Sequence, residues 1–236
     1  LHGSFPGQKK SVWRRYEAEI EENACLISVS HPFLAESIIS RRDKIVLAPN
    51  ACSEAFLAQG QMAAPRRRLS AEITGDSAQP PIRLVSSGAH YEWVDCEWLK
   101  ILACLDAVEL HIAGTGRGNA FYELLQLPNV KNHGHLNHSD LIQLLVKCDV
   151  GLIPFRDLPL IKGVDPIKAY EYTACGLEVW APDLVPLHSN LMISRFIANP
   201  AAAVAALKEY RSASKPFAGH IPVWKDRLTP ILARLL

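Results

Sequence analysis

The sequence lacks a marked excess of charge of either sign, and it lacks any long apolar run. Its 236 residues carry 25 Lys and Arg against 24 Asp and Glu, which gives a net charge of +1. Proteins that bind nucleic acid normally carry a basic excess, so we expect no nucleic-acid partner. No stretch reaches the roughly 18 consecutive apolar residues of a membrane span. No basic-then-apolar signal peptide is visible either, and we expect a cytoplasmic location.

Several motifs of catalysis and metal binding are absent as well. The six cysteines are scattered without a C-x-x-C pair, which predicts buried free thiols in a reducing compartment. The sequence contains no P-loop, no G-x-S-x-G, no H-E-x-x-H and no D-x-D. His133, His135 and His138 lie close together, but no cysteine near them completes a ligand set. We therefore expect neither a metal site nor a hydrolytic nucleophile.

From residue 82 onward, apolar strand-like runs that end near a glycine alternate with helical patterns. This alternation is typical of βαβ units. It predicts an α/β fold with a Rossmann-like, open parallel sheet and helices on both faces. Ligands bind to such sheets outside the carboxyl ends of the strands. The expected strands are 82–86, 107–113, 129–133, 150–155, 178–181 and 195–198.

The chain before residue 82 has a less regular pattern. Residues 58–81 contain several Gly and Pro and three consecutive arginines, and we expect them to form a flexible loop. The other predicted elements are a helix at 11–23, strands at 25–29 and 44–48, a short helix capped by Ser30 and a final amphipathic helix at 223–236.

Two strand-end segments could bind a ligand. Residues 114–118 read Gly-Thr-Gly-Arg-Gly, but Asn119 stands where a dinucleotide fingerprint needs glycine, so we interpret them as a tight turn. Residues 163–176 place Lys168 in the first turn of a short helix, where the helix dipole disfavours a cation unless an anion is bound. Glu171 lies on roughly the same face and could accept hydrogen bonds from ribose hydroxyls. A simple surface Lys–Glu ion pair is the alternative.

The segment DPIKAYEYTACG-LEVWA resembles the N/S-P-x-K-x-x-E-Y-x-A-x-G-K-P-V-V-A motif of GT-B glycosyltransferases, especially those close to family 4. The resemblance spans most of residues 24–234, because further segments match the family in the same order. These are CLISVS at 25–30, VLAPN at 46–50, SGAHYEWVD at 87–95, the segments 110–116, 129–136 and 149–155, and WKDR at 224–227.

The resemblance implies the C-terminal half of the GT-B fold, with most of the N-terminal acceptor domain missing. Residues 1–42 would be a remnant of that domain, residues 43–222 the donor-binding domain, and residues 223–236 a closing helix. The implied donor is a nucleotide-diphosphate sugar, with no further cofactor. The implied acceptor is a glycan or a lipid-linked molecule, which makes peripheral contact with the cytoplasmic face of a membrane plausible.

The resemblance also implies roles for individual residues. Glu171 would bind the ribose, and Lys168 would face the diphosphate or the sugar. Gly88 would let the backbone approach the phosphates, and the loop at Gly134 would lie over the base. No catalytic base is assigned. The implied donor-binding set is Gly88, Gly114, His135, Leu136, Asp165, Lys168 and Glu171.

The chain departs from the family where Gly163 stands in place of a second glutamate, eight residues before Glu171. A retaining mechanism that uses this glutamate pair therefore does not carry over, although Asp165 could partly replace the missing carboxylate. The alternative function is a non-catalytic or degenerate nucleotide-sugar-binding module. A GT-B-like epimerase is a third hypothesis, but the carboxylate and histidine pattern that it needs is not found.

Overall fold

The computed structural model describes residues 10–38, 42–71, 80–210 and 217–235. The first part of the chain forms a small parallel sheet with flanking helices. Strand β1 pairs with β2 in register, with Ser28 opposite Val46. The elements are α1 (Lys10–Asn23), β1 (Ile27–Val29), α2 (Pro32–Ser37), a 3-10 turn (Arg42–Lys44) and β2 (Ile45–Leu47).

The rest of the chain is built on a six-stranded parallel sheet. Across the sheet, the strands are ordered β5-β4-β3-β6-β7-β8. Along the chain, the first three strands run from β3 at the centre to β5 at one edge, and the next three run from β6, beside β3, to β8 at the other edge. This doubly wound order confirms the predicted Rossmann-like α/β fold, and it places the topological switch point between β3 and β6. The strands are β3 (Ile82–His90), β4 (Val108–Gly116), β5 (Val130–Gly134), β6 (Val150–Leu152), β7 (Glu178–Pro182) and β8 (Arg195–Ile197).

Helices cover both faces of this sheet because successive side chains of a buried strand point to opposite faces. In β3, Leu84 packs into the cluster on one face and Val85 into the cluster on the other. On the Leu84 face lie α4 (Cys96–Ala103), α5 (Asn119–Leu124) and α8 (Pro200–Glu209). On the Val85 face lie α3 (Glu54–Ala71), α6 (His138–Leu145) and α7 (Ile167–Ala174).

The prediction of a loop at 58–81 is wrong for residues 58–71, which belong to helix α3. Residues 72–79 lie outside the described part of the chain. Phe56 anchors α3 in the core, and α3 packs against α6 and α7. A side chain at Gly60 would come within 2.8 Å of the Ala174 carbonyl oxygen. Gly60 therefore lets two helices approach each other closely, whereas the sequence pattern had suggested a helix breaker.

The predicted cap of the short helix after β1 is wrong by one residue. His31, and not Ser30, caps α2, because its Nδ1 accepts from the Phe33 N–H at 3.1 Å. Helix α6 is capped by Asn137, whose Oδ1 accepts from the Asp140 N–H at 2.9 Å. Asn is among the best capping residues, and α6 accordingly begins at the next residue, His138.

The chain ends in α9 (Trp224–Leu235), which confirms the predicted final helix within one residue at each end. All six cysteines are free. Four of them are buried as predicted, whereas Cys25 and Cys104 are exposed. Burial raises the pKa of the Cys52 thiol to about 12, so this thiol stays protonated. Across the described residues, no helix has both the length and the apolar character needed to cross a bilayer.

Candidate functional site

The candidate site lies at the carboxyl ends of β3 and β4, next to the switch point. Gly88 and Gly114 face each other in the register of these two strands, and both have positive φ, of 118° and 127°. A side chain at Gly114 would collide with the Gly88 carbonyl, so only glycine allows this close approach. A side chain at Gly88 would meet Cε of Lys168 at 3.5 Å. The backbone of Gly88 and the Lys168 side chain therefore border the same space.

The first turn of α7 supplies the charged groups of the site. Lys168 Nζ lies 2.7 Å from Glu171 Oε2, so the ion pair allowed by the sequence is formed. The Glu171 side chain is only 9% exposed and that of Lys168 is 33% exposed, which makes this a largely buried pair. Among the described side chains, none caps the helix at Pro166. The helix therefore directs uncapped N–H groups and a positive partial charge toward the space beside Gly88.

Tyr172, which the sequence analysis missed, fixes α7 against the end of β3. Its hydroxyl accepts the Ser87 N–H at 2.8 Å and lies 3.0 Å from Ser87 Oγ. Its fully buried ring packs against Gly151 of β6. A larger residue at position 151 would overlap the ring. Burial raises the pKa of Tyr172, so the phenol is neutral. The only sequence signal was a glycine inside a buried strand, which often marks a close approach.

A second buried network joins the ends of β3 and β4. His90 Nε2 lies 2.9 Å from Ser86 Oγ, and Nδ1 lies 3.4 Å from the Thr115 carbonyl oxygen. The carbonyl can only accept, so Nδ1 carries the proton and Nε2 accepts from Ser86. Burial lowers the pKa of His90, which keeps the imidazole neutral. The ring also stacks on Phe121, with centroids 5.5 Å apart.

Asp165 is a buried junction between three parts of the chain. Its Oδ2 accepts the Asn50 N–H at 2.6 Å, and its Oδ1 accepts from Asn190 Nδ2 at 2.6 Å. The Tyr170 hydroxyl donates to the same carboxylate, at 3.0 Å from Oδ2. Burial raises the pKa of Asp165, although these hydrogen bonds and the nearby Arg227 guanidinium oppose the shift. Its oxygens are thus committed to contacts within the protein.

At Gly163, where the family has a second glutamate, a side chain of α2 occupies the space that the glutamate would need. A side chain at Gly163 would come within 2.6 Å of Leu34 Cδ2. Close by, His31 Nε2 lies 3.0 Å from the Pro186 carbonyl oxygen. The small N-terminal sheet is therefore anchored at the same edge of the large sheet that carries the site.

The three neighbouring histidines contact different parts of the molecule. His133 contacts His111, with 2.9 Å between Nε2 and Nδ1, and His138 packs edge-on against Phe56. His135 is exposed, and Leu136 is half-buried against the core. Within the described ranges, no group of three or more His, Cys, Asp or Glu side chains could hold a metal ion.

The strand order and the position of the site define a doubly wound, Rossmann-like α/β fold, and solved structures of the GT-B fold superpose on it. No protein-family model matches the sequence. Anabaena HepE, solved with UDP-glucose, superposes with a TM-score of 0.60 at 12% identity, covering 84% of this chain and 57% of HepE. Sucrose-phosphate synthase from Thermosynechococcus elongatus superposes with a TM-score of 0.59 at 18% identity, over 88% of this chain and 54% of that protein.

The sequence itself is similar to TuaH of Bacillus subtilis, which is named as a glycosyltransferase of teichuronic acid biosynthesis. The two are 32% identical over 65 residues, which is 28% of this chain and 16% of TuaH. This chain therefore spans little more than half of the solved neighbours and a smaller part of TuaH. The recognition of a GT-B C-terminal fold from the sequence is confirmed.

Proposed function

We propose that this chain is the donor-binding part of a glycosyltransferase that uses a nucleotide-diphosphate sugar. One observation carries the proposal. The largely buried Lys168–Glu171 ion pair lies in the first turn of α7, whose N-terminus has no side-chain cap, and it lies beside the backbone of Gly88, which has no side chain to cover it. Cationic and N–H groups at a helix start suit a diphosphate, and a buried carboxylate suits vicinal hydroxyls. The UDP-glucose named with HepE and the activity named for TuaH support the same class of donor.

In the proposed reaction, the bond between the anomeric carbon and the diphosphate oxygen breaks, a bond from that carbon to an acceptor hydroxyl oxygen forms, and the hydroxyl proton passes to the released diphosphate or to water. Negative charge develops on the leaving diphosphate. Lys168 and the N–H groups at the start of α7 would stabilise this charge from fixed positions. Glu171 would accept hydrogen bonds from the ribose. The ion pair must therefore open when the donor binds, because Lys168 turns from Glu171 to the phosphates.

The other predicted donor residues receive more specific roles. Gly114 allows the strand ends to approach each other, so that the Gly88 backbone can face the diphosphate. His135 and Leu136 would cover the base from the loop after β5. Asp165 acts as a positioning residue, because its carboxylate already holds Asn50 and Asn190. No described residue is proposed as the catalytic base.

The acceptor half of the enzyme would contact the small sheet and α9. In the described part of the chain, β1 and β2 pair only with each other, although parallel strands are normally buried on both faces. No described residue of α9 is buried, and Leu228, Leu232 and Leu235 form an exposed apolar stripe. An acceptor-binding domain on this surface would take a glycan or a lipid-linked acceptor at the cytoplasmic face of a membrane.

The test is calorimetric titration of this chain with UDP, GDP and their sugar conjugates, with the Glu171→Ala variant in parallel. We expect saturable binding of one nucleotide family, weakened at least tenfold in the variant, which is about 1.4 kcal/mol. Glu97→Ala is a matched control, because Glu97 forms an equally spaced pair with Lys100 at 2.7 Å in α4. Equal loss in both variants, or no binding by the folded wild type, would overturn the proposal.

A non-catalytic binding module is the second candidate. Leu34 fills the place where the family carries a second glutamate, so that carboxylate is absent from the site. This alternative expects the same nucleotide binding but no transfer when an acceptor domain is supplied in trans.

A further inference from the structure

Apart from the proposed donor site, a cluster of charged and titratable side chains spans β3, β4 and β5, which form one half of the large sheet. Glu109 of β4 lies at its centre. Its carboxylate oxygens lie 2.6 Å from Lys131 Nζ of β5, 2.8 Å from His111 Nε2 of β4, and 3.6 Å from Arg83 Nε of β3. His111 Nδ1 lies 2.9 Å from Nε2 of His133. The contacts thus form a chain from Glu109 through His111 to His133.

His133 is the extra residue of a β-bulge. The register of β4 and β5 passes from Ile112 opposite Asn132 directly to Ala113 opposite Gly134. The displaced His133 ring stacks on the His111 ring, with centroids 5.1 Å apart. A bulge bends its strand and redirects the residues that follow, and bulges are common next to active sites. The His111–His133 contact thus lies where β5 changes direction.

The chain leaves the sheet immediately after this bulge. Gly134 has φ of 61°, a left-handed conformation that favours glycine, and its N–H donates to Asn132 Oδ1 at 3.0 Å. The next two residues, His135 and Leu136, are those proposed to cover the base. The geometry of the bulge therefore sets the direction in which this loop starts.

We propose that Glu109, His111 and His133 form a hydrogen-bonded clamp that holds the bulge and positions the loop at 134–136 for nucleotide binding. This inference rests on the proposed function for its ligand. All three are positioning residues, since they act through the loop.

The hydrogen-bond donors determine how the clamp responds to pH. Glu109 accepts, so His111 Nε2 carries a proton, and in the neutral pair His111 Nδ1 accepts from His133 Nε2. One added proton on His133 Nδ1 keeps that hydrogen bond, because His133 Nε2 remains the donor and His111 Nδ1 the acceptor. A second proton, on His111 Nδ1, places two N–H groups face to face with their nitrogen atoms 2.9 Å apart and makes both rings positively charged, which breaks the hydrogen bond.

The second protonation falls on the acidic side of the ordinary histidine range. Burial lowers the pKa of His111, with His133 and Lys131 adding to the shift and Glu109 opposing it. Burial and the Lys131 charge also lower the pKa of His133, again opposed by Glu109. The clamp therefore holds at neutral pH and opens only below the usual histidine pKa of about 6.5.

The first test needs no nucleotide. Amide hydrogen exchange of the peptide that covers residues 130–137 is measured at neutral pH for wild type, His133→Ala and His133→Gln. Gln can place an amide nitrogen near the position of the imidazole Nε2, so it should keep the hydrogen bond without titrating. We expect faster exchange in His133→Ala and near wild-type exchange in His133→Gln. Unchanged exchange in His133→Ala would overturn the clamp.

The second test measures the affinity for UDP-glucose from neutral to acidic pH. This ligand is suitable because its diphosphate is esterified at both ends and keeps a constant charge over that range. We expect wild-type affinity to fall at least fivefold below about pH 6. His133→Gln should match wild type at neutral pH but lose most of the acid dependence, whereas His133→Ala should bind at least fivefold more weakly throughout. His220→Gln, at an exposed and distant histidine, serves as the control.

The two tests separate the possible failures. Faster exchange in His133→Ala without loss of affinity would overturn the role of the clamp in nucleotide binding. An absence of UDP-sugar binding by wild type would overturn the proposed function and the ligand of this loop, while the exchange result would still decide whether the clamp exists. An acid dependence that persists in His133→Gln would assign the titration to another group.

Discussion

The two parallel sheets of this chain contrast in how much of their apolar surface is covered. The six-stranded sheet is packed on both faces, and Leu84, Leu110, Tyr172 and Trp180 are fully buried. Outside the six-stranded sheet, helix α1 beside the two-stranded sheet and the final helix α9 leave apolar side chains in water, with Ile20 at 64% and Leu232 at 58% exposure. Amphipathic helices and parallel strands are stable mainly through burial. The larger sheet is therefore covered on both faces, whereas the smaller sheet leaves an apolar surface that the proposed acceptor domain would cover.

The largest effect that tests this contrast is expected for Tyr172→Ala. Removing a fully buried aromatic side chain creates a cavity and leaves the Ser87 hydroxyl without its partner. We expect a loss of about 3–5 kcal/mol in the free energy of unfolding, measured by urea denaturation. Tyr172→Phe, which keeps the ring, should cost only about 1–2 kcal/mol. Equal effects of the two variants would show that the ring contributes little packing.

A smaller loss is expected for Asp165→Ala. The variant leaves the Asn50 N–H, the Asn190 amide and the Tyr170 hydroxyl without their acceptor in a buried place. We expect about 2–4 kcal/mol of destabilisation by urea denaturation, because unsatisfied buried donors are costly. Asp183→Ala, in a solvent-exposed pair with His188, should change stability by less than about 1 kcal/mol. A comparable loss in both would contradict the junction role of Asp165.

The stability of the larger sheet should fall in mild acid. Burial lowers the pKa of His90 and of His111 in the folded state, so the unfolded chain binds protons first as pH decreases. The stabilisation that these two neutral histidines give the folded state is complete above about pH 6.5, and it is lost as the pH falls through their lowered folded-state pKa values. Thermal unfolding midpoints measured between pH 8 and pH 5 should show this decline. A His90→Phe, His111→Phe double variant should show a shallower decline, and an unchanged slope would contradict the assignment.

The smallest effect is expected on the exposed stripe of α9. The triple variant Leu228→Ser, Leu232→Ser, Leu235→Ser should change the free energy of unfolding by less than about 1 kcal/mol, because these side chains are already in water. The same variant should weaken association with an acceptor domain supplied in trans, measured by calorimetry. A large loss of stability would show that α9 belongs to the core of this chain.

The contrast also explains what could be predicted from the sequence. The strands and helices after residue 82 were predicted because their apolar patterns are local and end at glycines. Helix α3 was missed because its stability comes from contact with α7, more than one hundred residues away, through the close approach at Gly60. The roles of Tyr172 and Asp165 were missed for the same reason, since Ser87 and Asn50 are distant partners. Lys168 and Glu171 were recognised because they lie within one helical turn.

We propose that the nucleotide sugar binds at the carboxyl ends of β3 and β4, against the start of α7. The most direct measurement is amide hydrogen exchange of this chain with and without saturating UDP-glucose and GDP-mannose. We predict that one of the two slows exchange in peptides covering 86–90, 114–118, 134–137 and 166–171, with little change in α9. Protection confined to other parts of the chain, or binding without protection of 166–171, would contradict binding at this site.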